Sequence, residues 1–115
     1  MTIPENVQTS PQRKYPRVKA PQGLVVAWQT GALRNVSFVD SLALGGLFIR
    51  TSKPAPVNSA LSVRLEAPNG EVRARAVVRR VGTAPAHGMG IEFIAMNPED
   101  RARLSHMLTP LLASN

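Results

Sequence analysis

The sequence contains no cysteine, which excludes disulfide bonds, thiol catalysis and cysteine-based metal sites. Long apolar runs are also missing, and none approaches the roughly 20 residues needed to span a bilayer. The N-terminus is polar and carries Pro4 and Pro11, a pattern that is not typical of a signal peptide. These absences together predict a soluble, cytoplasmic protein.

Acidic residues are scarce: 7 Asp and Glu stand against 14 Lys and Arg, giving a net charge of +7. Such a charge predicts an anionic partner, which could be nucleic acid, an anionic membrane surface, an acidic protein or a small phosphorylated ligand.

Aromatic residues make up only 4% of the chain. Proteins that bind single-stranded nucleic acid usually stack bases on exposed aromatic rings. Phe38, Phe48 and Phe93 fit inward positions, which leaves Tyr15 and Trp28 for stacking. Four arginines on one strand are expected to form a solvated face: Arg73, Arg75, Arg79 and Arg80. The shortage of exposed aromatic residues therefore disfavours the hypothesis of a basic barrel that binds nucleic acid.

Residues suited to catalysis are few. The two histidines, His87 and His106, lie in no metal-ligand or nucleophile motif. Glu99 and Asp100 form an acidic pair, but their place in the first turn of a predicted helix explains them. No phosphate-binding loop or dinucleotide fingerprint occurs. The sequence predicts neither an enzyme nor a metal or cofactor site.

The length of 115 residues indicates one domain, predicted at residues 13–113 after a flexible tail at residues 1–12. Alternating apolar residues and turn signals predict six strands, at residues 24–29, 33–39, 47–51, 60–67, 72–81 and 87–94. A break in alternation predicts a β-bulge near residues 77–79. Asn97 and Pro98 predict a helix start, and Pro110 is expected to weaken or end that helix near Thr109. The predicted fold is a small six-stranded antiparallel β-barrel with a C-terminal α-helix.

Two short segments suggest a binding site. Arg13 and Arg17 lie four residues apart on a stretch that Pro16 keeps from being helical. A polar turn, predicted over residues 40–46, contains Gly45 and Gly46 and leads into a strand. Arginine forks bind phosphates and stack on bases, and glycine lets backbone amides approach a ligand. The two segments predict a cradle for a small anionic ligand with planar rings.

The order of these motifs resembles the PilZ domain, the bacterial receptor module for cyclic di-GMP, from about residue 13 to about residue 112. Arg13 and Arg17 match the family's Arg-x-x-x-Arg segment. Residues 44–49 resemble the end of its second motif, and residues 88–93 followed by 97–100 resemble its last strand and helix start. The resemblance implies a six-stranded barrel with a C-terminal helix.

The second motif, Asp/Asn-x-Ser-x-x-Gly in the family, is degenerate here. Aligning on Gly46 places Ser41 at the Asp/Asn position and Ala43 at the serine position, with Asp40 one residue early. Using Asp40 instead would shift the strand register unless a bulge absorbed one residue. The missing hydroxyl at Ala43 alone implies a loss of up to about tenfold in affinity.

The resemblance implies a single-domain adaptor that binds cyclic di-GMP and relays the signal to a protein partner. Arginines would grip phosphates and stack on guanines, and a polar side chain would meet a guanine edge beside the glycine backbone. The ligand-binding residues implied in this way are Arg13, Arg17, Asp40, Ser41, Gly45 and Gly46. The alternative is a degenerate PilZ domain that binds no cyclic di-GMP and acts through protein contacts only.

Overall fold

The computed structural model of the chain describes residues 15–83 and 86–113. The predicted tail at residues 1–12 lies outside this part. Seven strands and one helix follow in order: β1 (Val18–Lys19), β2 (Val25–Thr30), β3 (Leu33–Ala43), β4 (Gly46–Arg50), β5 (Ala60–Ala67), β6 (Gly70–Gly82), β7 (Gly88–Ala95) and α1 (Pro98–Ala113). In the described ranges, no helix combines the length and the apolar character that a membrane crossing requires.

Six of the strands form a closed ring. They are ordered β3-β2-β5-β6-β7-β4, every neighbouring pair is antiparallel, and β4 pairs back onto β3. Both β1 and β4 pair with Ser41 and Leu42, so they lie on opposite sides of β3. The short β1 therefore continues the line of β2 along β3. The predicted six-stranded antiparallel barrel with a C-terminal helix is confirmed.

The strand pairing of the ring shifts register at three places, and two of these shifts bear on the predictions. The pairing of β6 with β7 shifts between Val78 and Arg80, which confirms the bulge predicted near residues 77–79. A second shift occurs where β3 pairs with β4, between Val39 and Ser41, so Asp40 is the extra residue. Because this bulge absorbs Asp40, β3 continues to Ala43, and the turn predicted over residues 40–46 is wrong in its extent.

The inward faces of the strands form one core with the helix. Trp28 is buried in this core, and Phe93 packs partly buried against it. Phe48 is also buried, but it lies on the opposite face of β4 from the core residues Leu47 and Ile49, so its predicted inward position is wrong. Trp28 shares the inward face of β2 with Val26, so it is not available for base stacking. Phe38 is 52% exposed, and its predicted inward position is wrong. It lies on the opposite face of β3 from buried Val39, because successive side chains of a strand alternate.

The helix start agrees with the sequence. The backbone N–H of Asp100 donates to Asn97 Oδ1 at 2.8 Å, which satisfies one of the free amides of the first turn. Asp100 is buried and accepts a hydrogen bond from the backbone N–H of Arg73 on β6. The helix passes through Pro110 to Ala113, so its predicted end near Thr109 is wrong. Leu111 packs against the core and supports this last turn.

Candidate functional site

A shallow cavity of about 280 Å³ opens where the segment before β1, the turn between β3 and β4, and strands β6 and β7 meet. Three predicted site residues, Arg17, Gly45 and Gly46, line it, together with Ala43. Arg13 lies outside the described residues. The structure therefore places part of the predicted arginine segment beside the predicted glycine pair.

Arg17 is positioned by the pairing of β1 with β3. Val18 pairs with Leu42 and Lys19 pairs with Ser41, which directs the preceding residue toward the end of β3. The Nη1 atom of Arg17 donates a hydrogen bond to Ser41 Oγ at 2.9 Å. Arg17 and Ser41 are both partly buried. The predicted residues Arg17 and Ser41 are therefore in direct contact, although only Arg17 lines the cavity.

Asp40 lies apart from this group. Its Oδ1 atom accepts hydrogen bonds from Nε of Arg50, at 2.8 Å, and from Nη2 of the same guanidinium. This hydrogen bond, followed by the attraction between the two charges, raises the pKa of Arg50 above its ordinary value. Asp40 and Arg50 line a different cavity, of about 530 Å³, beside Lys19. Of the two polar candidates of the degenerate motif, Ser41 is the one that contacts Arg17.

The two glycines meet different neighbours. A Cβ atom on Gly46 would collide with the backbone carbonyl of Ile91, because Gly46 pairs closely with β7. A Cβ on Gly45 would instead lie 2.7 Å from Cδ2 of Tyr15, whose ring covers this glycine. At Gly46, the close approach of the β7 backbone leaves no room for a side chain. At Gly45, the aromatic ring of Tyr15 occupies that space.

Four lining residues with charged or aromatic side chains were not among the predicted site residues: Tyr15, Arg79, Arg80 and Glu92. Arg79 Nε donates to Glu92 Oε1 at 2.6 Å. The guanidinium carbon of Arg80 lies 5.0 Å from the ring centre of Phe48, within cation–π range. Arg79 and Arg80 belong to the bulge of β6, which was predictable from the sequence. Their approach to the cavity of Arg17 was not predictable, because it depends on long-range strand pairing.

Tyr15 adds an aromatic surface to the cavity. Its hydroxyl accepts a hydrogen bond from Arg101 Nη2 at 3.2 Å, and the Arg101 guanidinium lies 5.7 Å from the ring centre. The cavity thus combines three guanidinium groups, those of Arg17, Arg79 and Arg80, with one carboxylate and one aromatic ring. Such a set can bind phosphate oxygens and stack against planar rings.

The sequence also matches the family model of the PilZ domain over residues 11–109. The chain belongs to the PilZ family. No curated protein sequence matches this PilZ domain significantly.

Solved structures support the assignment of the fold. The Bacillus subtilis inhibitor of motility, MotI/DgrA, is 20% identical with a TM-score of 0.76, over 92% of this chain and 54% of that one. The PilZ domain of Escherichia coli YcgR with c-di-GMP is 16% identical with a TM-score of 0.68, over 90% and 94%. The K. pneumonia MrkH–c-di-GMP complex is 16% identical with a TM-score of 0.70, over 91% and 53%. This PilZ domain spans about half the length of MotI/DgrA and MrkH.

Proposed function

We propose that this PilZ domain binds cyclic di-GMP at the cavity beside Arg17 and relays binding to a protein partner. The observation that supports this proposal most is the contact of Arg17 with Ser41, next to Gly45 and Gly46. Two similar structures, those of E. coli YcgR and K. pneumonia MrkH, contain c-di-GMP.

The chemistry of the lining residues suits this ligand. Guanidinium groups bind phosphate oxygens as bidentate donors and stack on the faces of purines. Arg17 serves this role, with Arg13 as its partner in the family motif. Arg80 adds positive charge to the lining, whereas the charge of Arg79 is balanced by Glu92. Ser41 holds the Arg17 guanidinium in place and offers a hydroxyl to a guanine edge. The ring of Tyr15 offers a stacking surface.

The relay follows from the position of Arg17 before a strand of only two residues. Ligand contacts with this segment fix it against the barrel and change the surface that a partner meets. Ordering a segment consumes about 2–5 kcal/mol of the interaction energy, so ligand contacts must exceed that cost.

A second candidate function is protein binding without cyclic di-GMP. Two observations favour it: Ala43 lines the cavity where the family has a serine, and the Asp40 carboxylate pairs with Arg50 elsewhere. In this case the barrel and its charged surface carry the activity, and the cavity is a remnant of the family site.

Replacing Arg17 with alanine is expected to weaken binding of cyclic di-GMP by about 100-fold, because hydrogen bonds to charged groups contribute about 1.5–3 kcal/mol each. Isothermal titration calorimetry on the wild type and on Arg17→Ala measures this loss. Arg75→Ala is the matched control, since Arg75 lies outside the cavity lining. Absence of heat with the wild type at high micromolar ligand would overturn the receptor proposal and favour the second candidate.

Replacing Ala43 with serine is expected to strengthen binding by up to about tenfold, because it restores a hydroxyl inside the cavity. The same calorimetric titration measures the gain. Ala95→Ser at the end of β7, outside the cavity lining, serves as the control substitution. Equal affinities of Ala43→Ser and the wild type would show that this position does not face the ligand.

A further inference from the structure

One side of β3 is left open by the way the barrel closes. The pairing with β4 uses only the stretch from Val39 to Ala43. The stretch from Leu33 to Phe38 pairs with β2 on one side. Among residues 15–83 and 86–113, no strand pairs with its other side. We refer to residues 33–38 as the open β3 edge.

The direction of the free backbone groups follows from the ladder. The N–H of Val39 donates to the carbonyl of Leu24, so odd-numbered residues of this stretch point their backbone groups toward β2. The N–H and C=O groups of Arg34, Val36 and Phe38 therefore point to the open side. These three residues form a template for one more strand.

The side chains of the open β3 edge are unusually apolar for a free edge. Val36 is 71% exposed and Phe38 is 52% exposed, and both lie on the outer face. The neighbouring outer positions on β2 are Val25, opposite Phe38, and Ala27, opposite Val36. Free edges are commonly protected by lysine, proline or early termination, whereas the central outward position here is a valine.

The positive charge at and beside the open β3 edge indicates which class of partner it can bind. Arg34 lies on the edge itself, and the rows behind it on β5 and β6 carry Arg64, Arg73 and Arg75. Arg64 and Arg73 pair with Glu71, whereas no carboxylate of the described residues forms an ion pair with Arg34 or Arg75. A second copy of this chain, with its net charge of +7, would bring a like-charged edge to the contact. An acidic partner complements the edge.

We propose that the open β3 edge binds an acidic, extended segment of a partner protein as an added strand. Backbone hydrogen bonds to Arg34, Val36 and Phe38 supply affinity, as in other cases of strand addition. Apolar side chains at two alternate positions of the segment pack beside Val36 and Phe38, and carboxylates further along the same face of the segment lie near Arg34. The surface is separate from the cavity of Arg17, and its use does not depend on nucleotide binding.

The test uses two synthetic peptides of the same length that carry two valines at alternate positions, followed at the next alternate positions by aspartates in one peptide and by lysines in the other, with threonine at all other positions. Amide hydrogen exchange of the full ¹⁵N-labelled chain is followed by NMR. At saturating acidic peptide, the amides of Arg34, Val36 and Phe38 are expected to exchange at least about tenfold more slowly. The amides of Asn35 and Ser37 are expected to remain unchanged, since they already face β2.

Two variants complete the design. Val36→Pro removes an N–H that points to the open side and leaves the ladder with β2 intact, so it is expected to abolish the slowing. Val36→Thr keeps that N–H and is the matched control. Arg34→Glu is expected to reverse the preference toward the lysine peptide, and it keeps the proposal testable if the proline variant does not fold.

Several results would overturn the proposal. One is an unchanged exchange rate at these three amides with millimolar acidic peptide, and another is an equal effect of both peptides. Dimerisation of the peptide-free chain through this edge, seen by analytical ultracentrifugation, would assign it to a second copy instead. Titration of Val36→Pro with cyclic di-GMP separates failure of this proposal from failure of the proposed function, because Val36 does not line the cavity of Arg17.

Discussion

Replacing Gly46 with alanine is expected to lower the free energy of unfolding by about 3 kcal/mol, the upper end of the usual cost of overpacking. The added Cβ would collide with the carbonyl of Ile91, which belongs to the backbone of β7. Gly46 pairs with Ala43 on β3 and with Glu92 on β7, so neither neighbour can move without breaking a ladder that closes the barrel. Urea denaturation followed by circular dichroism measures the loss.

Gly45→Ala is the matched control for this experiment. The three atoms nearest to its Cβ all belong to the ring of Tyr15, a side chain that can rotate away, so the expected loss is less than about 1 kcal/mol. Equal urea midpoints for Gly45→Ala and Gly46→Ala would contradict the packing explanation. The expected difference means that the glycine of the second family motif is required here for barrel closure, whether or not a nucleotide binds.

Replacing Trp28 with alanine is expected to lower the free energy of unfolding by about 3–5 kcal/mol. The side chain is only 2% exposed, and Nε1 donates to Ser37 Oγ at 3.0 Å. Truncation leaves a cavity in the core and removes the partner of a partly buried hydroxyl. Thermal and urea unfolding followed by circular dichroism measure the effect without relying on tryptophan fluorescence.

Phe38→Ala provides the comparison, because Phe38 lies on the outer face and is half exposed. We expect it to change stability by less than about 1 kcal/mol. A loss as large as that of Trp28→Ala would show that the assignment of these two aromatic residues to opposite faces is wrong. Trp28→Phe, which keeps most of the ring volume and loses the hydrogen bond, is expected to lie between the two.

The fold was predictable where alternation and turn chemistry act locally. The strand from Ala60 to Ala67 has the bounds that its alternation indicated, and Asn97 caps the helix as its neighbours predicted. The bulge of β6 followed from the interruption of alternation at Arg79 and Arg80. In each case the residues that decide the structure are close together in the sequence.

The faces of β2 and β3 could not be assigned in the same way. Val36 and Phe38 alternate with Asn35 and Ser37, and this pattern alone indicates an apolar inward face. The structure has the reverse, because the hydroxyl of Ser37 accepts the indole N–H of buried Trp28. A polar residue can therefore face the core when a partner is present, and only the pairing of the two strands shows that partner.

The candidate site was predictable in its glycines and in Arg17, which local motifs mark. The separation of Asp40 from Ser41 was not, since it depends on a bulge in the pairing with β4 and on the distant Arg50. The approach of Arg79 and Arg80 to Arg17 likewise requires the closed order of the strands. Contacts of this kind arise from tertiary structure and leave no local pattern in the sequence.

The attachment of the segment that carries Arg17 has a further consequence. It is held by a strand of two residues and by the bond from the Ala20 N–H to the Asp40 carbonyl, followed by a turn in which Gly23 has a φ of 87°. Detaching the segment of residues 17–20 breaks few backbone hydrogen bonds and leaves the ring of six strands closed. Val18 and Ala20, however, are buried in the hydrophobic core, so substitutions that detach this segment are expected to lower the melting temperature as well as to displace Arg17. The position of Arg17 and the stability of the barrel are therefore coupled through these two residues.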